Sequence, residues 1–101
     1  MGSRPQALVE VREYSDLHRA MRARAEQLNI SRLSIDDIAG MPEGYAAKVL
    51  APAPMKCAGH KALLPLLGAL ALKLVILEDP VALAAIRDRL GGRPGFRQHK
   101  A

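Results

Sequence analysis

The sequence predicts a mainly α fold, a small helical bundle carrying one or two short β-strands, and three observations lead there. Apolar residues recur at helical spacing over several stretches, and prolines and glycines cut those stretches short. The core material is aliphatic, because half of the residues are hydrophobic while two tyrosines and one phenylalanine are all the aromatics. A chain of 101 residues holds enough of this material for one domain with a modest core.

Met1–Gln6 carries no pattern, and Ala7–Arg12 alternates apolar and charged residues as a short strand would. Ser15 is placed to cap a helix over Asp16–Leu28 whose stripe is Leu17, Ala20, Met21, Ala25 and Leu28. Its other faces hold Arg19, Arg22 and Arg24, either solvated, with Arg22 paired to Glu26 at i,i+4, or available to phosphates. Asn29-Ile30 breaks this helix.

Ser31 is a good N-cap for a second helix from Arg32, with Ile35, Ile38 and Ala39 on its inner side and Asp36 and Asp37 near its positive end. Gly40 tolerates positive φ and stops it, and Met41 can fill the inside of the corner. Pro42 fits before or at the first turn of a third helix, with Tyr45, Ala46, Val49 and Leu50 inward and Glu43, Gly44, Ala47 and Lys48 outward.

Two prolines and a glycine make Ala51–Gly59 a connecting loop. Ala62–Ala71 reads as a buried helix that starts near Ala62, since Pro65 is tolerable only in a first turn. Leu72–Leu77 is aliphatic on both faces and reads as a strand, with Leu72, Leu74 and Ile76 pointing one way and Val75 and Leu77 the other. Asp79 caps a last helix over Pro80–Leu90, with Leu83, Ile86 and Leu90 as its stripe and Gly91-Gly92 as its stop. The remainder, 91–101, is a basic tail expected to be mobile.

The stretch Arg32–Ala51 resembles the helix-turn-helix of the phage-repressor-like (Cro and Xre-type) DNA-binding family. Ile35, Ala39, Met41, Ala46 and Val49 fall on that motif's buried positions and Gly40 on its turn glycine. One position departs: the family usually has a small residue where this chain has Asp36. With its flanking helices the resemblance covers roughly residues 15–77, and it implies a lambda-repressor-like bundle that places helix 43–50 in the major groove. It also implies a phosphate-contacting role for the loop with Lys56 and for Lys61 beyond it, and dimerisation through a strand after the last core helix.

Charge neither makes nor breaks that reading. The net charge is +5, but residues 1–50 hold seven basic and seven acidic side chains, while residues 51–101 hold eight and three. Within the motif, Arg32 and Lys48 stand against Asp36, Asp37 and Glu43. One cysteine permits no internal disulfide. The C-x-x-H spacing of Cys57 and His60 lacks the further ligands of a zinc site and the base and oxyanion groups of a nucleophilic one, so Cys57 is expected to be a half-buried structural thiol. Neither a secretory leader nor a run of about 20 apolar residues is visible, which points to the cytoplasm and to no membrane contact.

The sequence therefore divides into an N-terminal arm (1–14), a DNA-binding core (15–71), a strand plus helix for dimerisation (72–90) and the tail. The expected function is a sequence-specific, homodimeric transcriptional regulator on double-stranded DNA, without cofactor, metal or catalysis. DNA contacts are expected from Arg32, Pro42, Glu43, Gly44, Ala47, Lys48, Lys56 and Lys61, and dimer contacts from Leu72, Leu74, Val75, Ile76 and Leu77. The alternative is a protein-interaction module of the antitoxin or antiactivator type, whose partner is a toxin or another regulatory protein.

Overall fold

In a computed structural model, which describes Arg4, Gln6–Pro54 and Lys56–Gly91, the chain is mainly helical: α1 Tyr14–Leu28, α2 Arg32–Ala39, α3 Tyr45–Val49, α4 His60–Ala69 and α5 Pro80–Leu90. The basic tail beyond Gly91 lies outside the described residues. The core sits between α1, α2, α3 and α4, where Met21, Ile35, Val49, Leu50, Leu66 and Leu70 are fully buried and Leu17, Ile30, Met41, Tyr45, Leu63 and Leu72 close its edges. α2 is the central element, packed on both α3 and α4.

Three helix ends share one device. The first residue after α1 and α2 and the second after α4 turn left-handed: Asn29 (φ 53°), Gly40 (φ 71°) and Ala71 (φ 55°). In each case the following N–H reaches five residues back, Ile30 to Ala25, Met41 to Asp36 and Leu72 to Leu67. These are Schellman closures, which satisfy otherwise free carbonyls and reverse the chain. Asn and Gly suit that backbone; Ala71 bears a Cβ there and is strained.

The start of α1 differs from expectation, because Asp16 rather than Ser15 organises it. The Asp16 carboxylate accepts the N–H groups of Arg12 (2.9 Å) and Glu13 (3.2 Å), so the helix begins at Tyr14. His18 joins Met21 and Ala25 on the buried face, while Leu28 is exposed. α4 begins at His60, two residues before the expected start, which leaves Pro65 inside the helix. Leu64, Pro65, Gly68 and Lys61 all face outward, so the carbonyl that Pro65 cannot serve, that of Lys61, lies on the solvent side where water can bond to it.

Neither expected strand forms among the described residues: Ala7–Arg12 and Leu72–Leu77 have no ladder partner in the chain. An exposed ion pair links Arg12 to Asp79, just beyond the second segment, at 3.6 Å, with no backbone hydrogen bond between the two segments among the described residues. Leu72 belongs to the core instead. α5 has the expected bounds, with the Asp79 side chain accepting the Ala82 N–H at 3.0 Å, yet it buries no residue, and Leu83 and Ile86 stay exposed. Among the described residues no helix is long and apolar enough to cross a membrane.

Candidate nucleic-acid interface

α2 and α3 form a helical corner around Gly40. Ser31 caps α2 by accepting the Ser34 N–H at 3.1 Å, and Ile35 and Ala39 point into the core. The third inward residue is Asp36, 3% exposed, rather than Ile38, 62% exposed. Its two carboxylate oxygens accept the N–H of Gly44 (2.9 Å) and that of Ala46 (2.7 Å). Asp36 therefore does not serve the positive end of its own helix; it caps the next one.

The reason lies in how α3 starts. Tyr45 N–H donates to the Pro42 carbonyl at 3.1 Å, and Gly44 takes φ 91°, ψ −7°. This is a type II turn, with glycine at the position that needs positive φ. Pro42 and Glu43 thus stay outside the helix, and the expected helix 43–50 shrinks to Tyr45–Val49. A glycine at the N-cap has no side chain with which to hold the first N–H groups, and Asp36 supplies the missing acceptor across the corner.

The other end of α3 is held from α1. The His18 Nε2–H donates to the Ala51 carbonyl at 2.8 Å, and Arg22 Nη1 donates to the Leu50 carbonyl at 3.1 Å. Arg24 does the same for α4, donating from Nε to Leu70 (3.0 Å) and from Nη2 to Ala71 (3.3 Å). Cations at helix C-termini complement the negative dipole end. Arg22 also lies 3.9 Å from Glu26, and Arg19 pairs with Asp16. All three α1 arginines thus have partners inside the protein.

Between its clamps α3 turns Ala46 and Val49 inward and leaves Ala47 and Lys48 exposed. Glu43 and Pro42 are exposed beside its start, and Gly44 is half-buried. Arg32 is half-buried at the first turn of α2, and Lys61 is exposed in the first turn of α4. Lys56 is exposed, with its Nζ 5.2 Å from the centre of the Tyr45 ring. That cation–π contact ties the loop to α3. Ala58 N–H donates to the Tyr14 hydroxyl at 2.9 Å and ties the same loop to α1. Cys57, expected to be half-buried, is exposed, because the loop's inward residue there is Ala58.

Sequence reasoning missed Asp36 and His18. Both had a signal. Ile35, Asp36 and Ala39 share one helical side, and a helix that begins on glycine needs an acceptor from elsewhere; His18, Met21 and Ala25 recur at 3 and 4. No family model matches the chain, and no curated protein or solved structure is significantly similar to it.

Proposed function

We propose that the chain is a sequence-specific double-stranded DNA-binding regulator of transcription, with α2 and α3 as a helix-turn-helix, acting as a homodimer in the cytoplasm. One observation carries the reading: α3 has five residues, too few to be stable alone, yet it is held at both ends by Asp36, His18 and Arg22 while Ala47 and Lys48 stay outward. So many fixed hydrogen bonds on one short helix fit an element whose outer face has to meet a partner in a set orientation. Lys48 can donate to guanine, Glu43 can accept from cytosine, and Gly44 and Ala47 allow close approach or contact with a thymine methyl.

Phosphate contact falls to Arg32, Lys56 and Lys61, because Arg19, Arg22 and Arg24 are engaged within the protein. The reading assigns no catalytic step and no cofactor. The exposed apolar residues of 74–86 also suit the alternative, a module that binds a toxin or another regulatory protein.

Lys48→Ala separates the two. On the DNA reading it weakens binding to the operator more than to random DNA, by the roughly 1–3 kcal/mol of one base contact. Replacing Arg32, Lys56 or Lys61 singly flattens the plot of log K against log salt by about one unit for each true phosphate contact. Equal losses on both DNAs, with unchanged slopes in all three variants, would leave the protein-interaction reading.

A further inference from the structure

The segment Lys73–Asp79 has no backbone partner. Among the described residues none of its N–H groups donates within the chain, and of its carbonyls only that of Asp79 accepts, from Leu83. Its side chains are uncovered too: Leu74, Val75, Ile76 (92%) and Leu77 (79%) are exposed on both sides of an aliphatic run. Free hydrogen-bonding groups beside apolar, β-favouring side chains form a template for strand pairing. The single ion pair to Arg12 leaves that template open.

We propose that this segment pairs antiparallel with the same segment of a second copy, in the register that sets Ile76 opposite Ile76 on the two-fold axis. The inference deepens the dimer named above and is independent of DNA binding. Its first support is the extent of the free backbone. Leu72 has committed its N–H to Leu67 at 2.9 Å, and Pro80 has no N–H, so a ladder can run from 73 to 79 and no further. A two-fold antiparallel pair must place one residue opposite its own copy. Only Ile76, the middle residue, lets all seven positions of 73–79 find a partner.

Charge selects the same register. With Ile76 on the axis, Lys73 stands opposite Asp79 at both ends of the ladder, and Val75 stands opposite Leu77 between them on the same face. With Val75 on the axis, Lys73 would face Leu77 and Glu78 would face Leu72. With Leu77 there, Asp79 would face Val75 and Glu78 would face Ile76. With Leu74 there, Ala71 would have to leave its left-handed position to pair with Leu77. Asp79 can accept Lys73, because one carboxylate oxygen caps Ala82 while the other, 3.6 Å from Arg12, is on the solvent side. α5 then leaves each end of the ladder carrying Val81, Leu83 and Ile86, exposed apolar groups placed to extend the contact.

The test is cysteine cross-linking of the full chain in a Cys57→Ser background. Directly opposed residues have Cα atoms about 4.5–5.5 Å apart, inside the disulfide range of about 4.4–6.8 Å. Val75 and its own copy, like Leu77 and its copy, would be offset by two residues along the strands and too far apart. Sedimentation of the unmodified protein at tens of micromolar is expected to show a dimer. Mild oxidation is expected to link Ile76→Cys completely, and Val75→Cys and Leu77→Cys at most in trace. A dimer in which Val75→Cys or Leu77→Cys links and Ile76→Cys does not would overturn the register. A monomer at that concentration would overturn the pairing, whatever the protein does with DNA. Circular dichroism of each variant checks that the helices remain, and substituting a side chain this exposed leaves them unchanged.

Discussion

Residues 14–72 and residues 73–91 use the same aliphatic side chains and reach different ends. In the first region the buried residues of α1 to α4 share one core, and the C-terminal end of each of these helices is closed by a left-handed turn or by a side chain from α1. In the second, Leu74–Leu77 and α5 expose apolar groups, and the backbone of 73–79 donates no hydrogen bond among the described residues. Hydrophobicity alone does not separate the two regions. For 73–79 the difference lies in backbone hydrogen bonding: a helix satisfies its polar groups locally, whereas an extended segment needs another strand.

Truncations give the sharpest contrast. Leu66→Ala in the fully buried core is expected to cost about 2–5 kcal/mol, whereas Leu77→Ala, measured at concentrations where the chain is monomeric, should stay within about 0.5 kcal/mol. Urea unfolding of the two variants checks this, and similar losses would mean that 73–79 packs on its own core. Asp36→Ala comes next: it removes two hydrogen bonds to a charged acceptor and leaves two N–H groups without partners, for roughly 3 kcal/mol. Asp36→Asn keeps the shape and one acceptor, so about half that loss is expected. Ala71→Gly works in the opposite direction, relieving a Cβ in a left-handed turn and raising stability by up to about 1 kcal/mol.

The smallest effect is acid-dependent. The Arg12 N–H foremost holds the Asp16 carboxyl below the usual carboxylate range; burial opposes it less strongly, and the Glu13 N–H and the Arg19 guanidinium add to the lowering. A depressed pKa in the folded state means that the stabilisation is present above the unfolded value and is lost as pH falls through the folded one. An NMR titration of Asp16 should find its midpoint below that of an unstructured aspartate, and Asp16→Asn should flatten the acid limb of the stability curve.

The ends of α1, α2 and α5 were legible because local chemistry fixes them: Ser31 and Asp79 as caps, Asn29, Gly40 and Gly91 as stops, Pro80 at the first turn of α5. Periodicity placed Met21, Ile35, Ala46 and Val49 inside for the same reason. What escaped was non-local. The burial of Asp36 follows from a glycine eight residues on, and the short α3 from a turn that only the Pro42 carbonyl and Gly44 together produce. His18, Arg22 and Arg24 are drawn inward by carbonyls 28 to 47 residues away, which no window along the chain would reveal. The segment 72–77 has no strand partner within the described residues for a similar reason, since an aliphatic run states a need for cover without naming the cover.

The central claim is that the clamped α3 reads DNA, and the most direct measurement is a binding titration against fragments from upstream of the chain's own gene, beside random DNA of equal length and base composition. The account predicts at least about a thousandfold preference for one upstream fragment at physiological salt, the low end for specific recognition. Equal affinity for all fragments at every salt concentration, or no binding at all, would contradict it.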